Sequence, residues 1–280
     1  MLQQHISQAV NLALNEDLGG LEVDQGDITA NLIPEQQQIS VNIITREDCV
    51  LAGQAWVNET FAQLDSQIGI NWFYQDGDQV KANDILCHIS GNARLILTGE
   101  RTALNFLQAL SGTATVVADY VSALGDSKTQ LLDTRKTLPG MRMAQKYAVT
   151  CGGGKNHRIG LFDAYLIKEN HIAACGSIAN AIAKAREMHP QLPVEVEVET
   201  LAELAQALAA KADIIMLDNF SLADTQQAVS LTKGQSKLEV SGNITKARVA
   251  ELAKVGVDYI SCGALTKHIR AIDLSLRVSQ

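Results

Sequence analysis

From residue 128 onward the chain alternates strand-like and helix-like segments, and this alternation restricts the fold more than any other feature. The strand-like runs are "TQLLD", "DAYLI", "PVEVEVE", "DIIMLD", "KLEVS" and "DYISC". Between them lie "LPGMRMAQKYAVT", "SIANAIAKAREMH", "LAELAQALAA", "SLADTQQAVSL" and "TKARVAELAKVG", whose apolar residues recur three and four apart, as on one helix face. Strands joined by helical crossovers run parallel, since a tight turn cannot connect them. Two architectures remain, an α/β barrel and an open doubly wound sheet. Polar residues at the strand ends decide between them: Asp133, Arg135 and Lys136; Lys168, Glu169 and His171; Glu197 and Glu199; Asp218 and Asn219; Ser241 and Asn243; Cys262 and Gly263. A barrel draws chemistry from the C-terminal ends of all its strands, whereas an open sheet concentrates it at one switch point. The fold class expected is therefore α/β, with an incomplete α/β barrel of fewer than eight strands.

The earlier residues follow another pattern. Ile6, Ala9, Val10 and Ala13 recur at helical spacing before "DLGG" ends the helix. "ISVNIITREDCVLAG", "INWFYQDGDQV" and "DILCHISGNARLILTG" read as β-rich runs, with a helix-like "AWVNETFAQL" between the first two. This gives an N-terminal α+β domain over residues 1–111 and a barrel domain over 112–268. In the tail, residues 269–280, alternation of Ile272, Leu274, Leu276 and Val278 indicates a strand that pairs outside the barrel and rejoins the N-terminal sheet.

A net charge of −8 excludes the broad basic face that nucleic-acid or membrane-surface binding requires. Cys49, Cys87, Cys151, Cys175 and Cys262 are scattered and never spaced CxxC, which favours reduced thiols in a cytoplasmic protein. The first residues lack a basic segment ahead of an apolar run, and no stretch of about 18 apolar residues occurs, so neither a signal peptide nor a membrane span is expected.

Against this acidic background, residues 131–160 hold Arg135, Lys136, Arg142, Lys146, Lys155 and Arg158. "CGGGKN" resembles a phosphate-binding P-loop, but Val149 and Asn156 stand where that motif needs Gly and Ser or Thr. Gly152, Gly153 and Gly154 then either turn the chain or let backbone approach a ligand. Arg142 and Lys146, four apart on a helix, read as a solvated face. Arg135, Lys136, His157, Arg158 and Lys168 instead converge on a barrel mouth. Two like charges about 8 Å apart repel by roughly 2 kcal/mol at an effective dielectric of about 20, so such a cluster needs anions. Glu197 and Asp218 could supply them as an ion network; a ligand's carboxylates and phosphates fit the forked arginine donors better. Glu197 and Asp218, on neighbouring strands, could jointly hold Mg²⁺. Glu195, Glu197 and Glu199 alternate onto one face, where only those near the mouth stay solvated. A Schiff-base aldolase using Lys168 is a competing reading, and a non-catalytic barrel that senses an acid is another.

"GERTALNFLQALSGTAT", "DTRKTLPGMRMAQKYAV", "CGGGKNHRIGLFDAYLIKENHI", "VEVEVET", "IMLDN", "EVSGNI" and "SCGALTKH" together resemble the quinolinate phosphoribosyltransferase family, over the chain from about residue 26 to the end. The resemblance implies an N-terminal α+β sandwich domain beside the incomplete α/β barrel, and transfer of phosphoribosyl from phosphoribosyl pyrophosphate (PRPP) to quinolinate with decarboxylation, in NAD biosynthesis. A ModD-type molybdenum-associated paralogue or a nicotinate-specific transferase is the rival within the superfamily. Carried over by motif, Arg135, His157, Arg158 and Lys168 would contact the quinolinate carboxylates, joined by Arg101 from the second subunit of a homodimer. Lys136, Ser241, Gly242, Asn243, Gly263 and either Lys267 or His268 would surround PRPP. Glu197 and Asp218 would hold Mg²⁺, and Lys136, Lys168, Glu197 and Asp218 form the implied catalytic set. Arg101 is read at the start of a helix, where a cation gains nothing from the helix dipole, so an external anion is expected.

Overall fold

The computed structural model describes residues 2–279. In chain order it runs α1 (Leu2–Asp17), α2 (Val23–Gly26), β1 (Gln38–Thr45), β2 (Cys49–Val50), α3 (Gln54–Leu64), β3 (Gly69–Trp72), β4 (Gln79–Val80), β5 (Ile85–Asn92) and α4 (Ala93–Ser122). It continues through β6 (Gln130–Leu132), α5 (Arg142–Cys151), β7 (Tyr165–Ile167), α6 (Glu169–Cys175), α7 (Ile178–Met188), β8 (Val194–Val198), α8 (Leu201–Ala209) and β9 (Ile214–Asp218). The last elements are α9 (Leu222–Thr232), β10 (Lys237–Ser241), α10 (Lys246–Val255), β11 (Tyr259–Ser261), α11 (Ala264–Lys267) and β12 (Leu274–Val278). The chain divides into two compact units. One comprises the residues up to Ala118, Leu138–Gly153 and those from His268 on; the other comprises Asp119–Thr137 and Gly154–Lys267.

The first unit is built on a four-stranded antiparallel sheet in the order β12-β1-β5-β3. The C-terminal strand β12 lies along β1 with Ile43 opposite Leu276 and Thr45 opposite Leu274. Alternate residues Val41, Ile43, Cys87 and Ile89 are buried against Ile96, Ala103, Leu104 and Leu107 of α4. Period two on the strands and period three to four on the helix thus meet in one core. The segment "ARLILTG", which reads as strand from its apolar run, is helical. Asn92 Oδ1 accepts from the backbone N–H groups of Arg94 (3.0 Å) and Leu95 (3.3 Å), and this cap starts α4 directly after β5.

Helix α5 also departs from the sequence reading, which placed it among the barrel helices. Ala144 and Ala148, one turn apart, pack with Ile6, Val10, Trp56 and Leu110 in the first unit. The Tyr147 ring lies 5.4 Å from that of Trp56, and its hydroxyl donates to Asp76 at 2.7 Å. Lys146, expected on a solvated face, is buried at 2% exposure, and Arg142 is half-buried. The triple glycine serves the backbone here: a Cβ on Gly152 would lie 2.4 Å from the Ala114 carbonyl oxygen, and Gly153 turns the chain at φ +86°.

The second unit contains a six-stranded, wholly parallel sheet in the order β6-β11-β10-β9-β8-β7. Each successive strand from β7 to β11 lies beside its predecessor, and β11 pairs with β6, so the strands wind in one sense. The pairing between β6 and β7 is the one step of that cycle that is missing. It falls where the connecting helix α5 belongs to the first unit. The free edge of β6 carries a single parallel bridge, Leu132 to Lys155, closed by hydrogen bonds of 2.8 Å and 3.1 Å. Outer residues Val194, Val196 and Val198 are buried beneath helices, while Glu195 and Glu197 point the opposite way. Ser177, Thr200, Ser221 and Thr245 cap α7, α8, α9 and α10 through their side chains, which fixes where each crossover begins. Among the described residues no helix is long and apolar enough to cross a membrane.

Candidate active site

The C-terminal ends of the parallel strands surround a cavity of about 590 Å³ within the second unit. Arg135 and Lys136 follow β6, Lys168 follows β7, Glu197 lies near the end of β8, Asp218 ends β9, and Ser241 ends β10. His157, Arg158, Gly242 and Asn243 complete the sequence-expected residues that line it. Lys267, also in the second unit, is exposed on α11 and lines no part of the cavity. Gly263 serves Lys136 instead: a Cβ there would lie 2.7 Å from Lys136 Cδ. Arg101 and His268 belong to the first unit, with both side chains exposed. Helix α4 starts at Ala93, so Arg101 lies in the helix body and the argument from the helix dipole does not apply to it.

Cations dominate the mouth. Arg135 Nε is buried and has no hydrogen-bond partner. Burial, reinforced by the neighbouring Arg135 guanidinium, pulls the Arg158 pKa below its ordinary value, while Glu195 and Asp163 oppose the shift. Two neighbouring guanidiniums, one with an unsatisfied donor, form a receptor for a planar anion. Lys168 Nζ is ion-paired with Glu197 Oε2, which engages the nitrogen that a Schiff-base mechanism would need free. Leu166 and Met216 add apolar surface to the same cavity.

The ends of β9 and β10 are conformationally unusual. Asn219 (φ +56°), Gly242 (φ +96°) and Asn243 (φ +49°) all adopt positive φ. A Cβ at Gly242 would sit 2.1 Å from Asn219 Oδ1, so only glycine lets these two loops approach. Asn219 Nδ2 donates to Asp218 Oδ2 at 2.8 Å, and Asn243 Nδ2 donates to Asn219 Oδ1 at 3.3 Å.

An acidic floor lies beneath the cationic mouth. Asp133, fully buried, accepts from the His157 backbone N–H at 2.9 Å and anchors that loop to β6. The His157 ring is held at both nitrogens: Nδ1 accepts from the Arg158 backbone N–H (2.7 Å), and Nε2 lies 3.0 Å from Glu195 Oε2 and 3.5 Å from Glu239 Oε2. These ligand-type atoms lie within 4.8 Å of one another. At an effective dielectric of about 20, two ionised carboxylates at that spacing repel by roughly 3 kcal/mol. Burial, then the charge of Glu195, push the Glu239 carboxyl up to about 8, with His157 opposing. Burial and the repulsion between the two carboxylates favour a proton on this floor.

Thr134, Leu166, Met216, Glu239 and Ser261 line the cavity although the sequence reading did not assign them to it, and Asn219, read at a strand end without a role, lines it too. The alternation in "KLEVS" was a usable signal for Glu239, since Ser241 on the same face was selected. Leu166 and Met216 carry no signal distinguishing them from core residues.

Known proteins are similar to this chain over nearly its whole length. Residues 27–111 match the family described as "Quinolinate phosphoribosyl transferase, N-terminal domain", and residues 113–277 match the corresponding C-terminal domain. The structure of the nicotinate-nucleotide pyrophosphorylase from Francisella tularensis is similar at 54% identity and a TM-score of 0.94, covering 99% of this chain and 97% of that one. The probable nicotinate-nucleotide pyrophosphorylase [carboxylating] of Bacillus subtilis is 39% identical over 98% of this chain and 93% of its own length. The Mycobacterium leprae nicotinate-nucleotide pyrophosphorylase [carboxylating] is 40% identical over 95% of each chain. A winding barrel lacking one seam, a cationic mouth fed by five strand ends, and matches to both family domains lead to one conclusion: this chain belongs to the quinolinate phosphoribosyl transferase family.

Proposed function

We propose that the chain transfers the phosphoribosyl group of PRPP to quinolinate with loss of CO₂, giving nicotinate mononucleotide and pyrophosphate for NAD biosynthesis, and that it works as a cytoplasmic homodimer. The observation that carries this reading is the buried, unpaired Arg135 Nε beside Arg158. An unsatisfied buried guanidinium donor is costly, and a ligand carboxylate satisfies it. Arg135, Arg158 and Lys168 would take the two carboxylates of quinolinate, with Leu166 and Met216 against the ring. His157, engaged at both nitrogens, acts by holding the loop that presents Arg158. Lys136 and the Ser241–Gly242–Asn243 loop would hold the phosphates.

The chemistry is mainly electrostatic. When the bond from ribose C1 to pyrophosphate breaks, its electron pair leaves with pyrophosphate, where Lys136 offsets the growing charge. The pyridine nitrogen then bonds to C1 and becomes cationic. That cation stabilises the electron pair left on C2 when CO₂ departs. Glu197 and Asp218 are the residues that would hold Mg²⁺. The only three-group cluster of metal-ligand type among the described residues is His157–Glu195–Glu239, and Lys168 already occupies one Glu197 oxygen. Two carboxylates without a third suit Mg²⁺ delivered on phosphate oxygens rather than a preformed cage. When bound, Mg²⁺ would add Lewis-acid neutralisation of the leaving group.

Purified protein given quinolinate, PRPP and Mg²⁺ should release pyrophosphate and CO₂ in equal amounts. Nicotinate in place of quinolinate should be a poor substrate, because it leaves part of the cation cluster unpaired. Comparable kcat/KM for the two acids would contradict the proposal and favour a nicotinate-specific transferase. By calorimetry, Mg²⁺ should bind the free protein weakly and tightly only with PRPP present; tight stoichiometric binding without PRPP would show a preformed site.

A further inference from the structure

We propose that Glu239 is the acid that protonates C2 of the pyridine ring once CO₂ has left, a role that rests on the transferase reading above. Glu239 lies on β10, lines the cavity, and is fully buried with neither carboxylate oxygen in a close hydrogen bond, Oε2 lying 3.5 Å from His157 Nε2. Ser261, on the adjacent strand β11, is also buried and lines the same cavity, its hydroxyl opposing but not outweighing the effect of burial on Glu239. The neighbouring N–H donors are engaged with other groups. His157 Nδ1 accepts the Arg158 N–H, so the ring N–H that remains is directed at Glu195 and Glu239. Lys168, ion-paired with Glu197 in the ligand-free protein, is assigned above to a quinolinate carboxylate. Burial and the adjacent Glu195 keep the Glu239 proton in place at neutral pH.

The charge balance is consistent. An ionised Glu239 would repel a dianionic ligand, whereas a neutral carboxylic acid does not, and the ligand's own charge holds the proton there until it is needed. As the bond between C2 and its carboxyl carbon breaks, CO₂ departs and the electron pair stays on C2. That pair takes the proton from the Glu239 oxygen, forming C2–H and leaving a carboxylate. Solvent returns a proton to Glu239 through the open mouth after product leaves.

The test is Glu239→Gln, with Glu239→Asp as the conservative variant, assayed with quinolinate, PRPP and Mg²⁺ in mixed light and heavy water. Wild-type turnover establishes the transferase reading independently; if wild type does not act on quinolinate, that reading fails first. The amide should lower kcat by roughly 100-fold or more, leave KM for PRPP within about twofold, and change the ratio of deuterium to hydrogen at C2 of the product, because a different donor now supplies the proton. Glu239→Asp should keep the wild-type isotope ratio. A kcat within a few-fold of wild type, or a large loss with an unchanged isotope ratio, would overturn the proposal, the latter by showing a structural role. If Glu239→Gln does not fold, infrared spectra of wild type at neutral pH serve instead. A protonated-carboxyl band that shifts when quinolinate binds supports the assignment, and its absence overturns it. Stoichiometric Mn²⁺ binding by wild type without PRPP that Glu239→Asp abolishes would also overturn it, by making the floor a cation site.

Discussion

Arg135→Leu is expected to lower kcat/KM for quinolinate by roughly 30- to 5,000-fold while melting no lower than the parent protein. The loss follows from the usual cost of about 2 to 5 kcal/mol when one partner of a desolvated, hydrogen-bonded charge pair is removed. The unchanged or raised melting temperature follows from the ligand-free side. Arg135 Nε is buried without a partner and its charge disfavours that of Arg158, so the residue is a burden on the fold when no anion is bound. Leucine removes both penalties and keeps much of the volume. Activity and stability should therefore move in opposite directions, as expected where a site stores unsatisfied charge for its ligand. A parallel fall in melting temperature and activity would assign Arg135 to the structure rather than to substrate. Arg135→Lys should rescue little, since a lysine cannot present two parallel donors to one carboxylate.

Arg101→Ala and Lys136→Ala should each yield an inactive protein, and mixing the two under subunit exchange should recover about a quarter of wild-type activity if the homodimer is two-fold symmetric. The arithmetic follows from site composition. Half of the dimers after random exchange contain one of each subunit, and one of the two sites in such a dimer pairs an intact Lys136 with an intact Arg101. Arg101 is exposed in the body of α4, in the first compact unit, whereas Lys136 follows β6 in the second. Helix-dipole geometry does not account for Arg101, and the proposed homodimer would give it an anionic partner. No recovered activity, with mixed dimers demonstrated by native mass spectrometry, would end the shared-site proposal. Recovery would exclude a site completed within one subunit.

Local periodicity carried much of this protein's organisation into the sequence. Side chains alternate along a strand and recur every three to four residues on a helix whatever surrounds them, so six parallel strands, their helices and the residues at their ends were legible directly. Eight of the polar residues read at the strand ends line the cavity: Arg135, Lys136, Lys168, Glu197, Asp218, Asn219, Ser241 and Asn243. What tertiary structure alone decided concerns partners distant in sequence. The amphipathic pattern of "RMAQKYAVT" states that α5 has an apolar face but not which core receives it, and Trp56 and Val10 in the first unit do so. Nothing local distinguishes a solvated Lys146 from the buried one observed. "ARLILTG" is as apolar as a strand, and a cap from Asn92 makes it helix. Glu239 is one polar residue in a five-residue strand until the register between β10 and its neighbours sets it within reach of His157 and Glu195, from loops and strands 82 and 44 residues earlier. Its proton affinity comes from that burial and that neighbour, and both are properties of the folded barrel rather than of any stretch of chain.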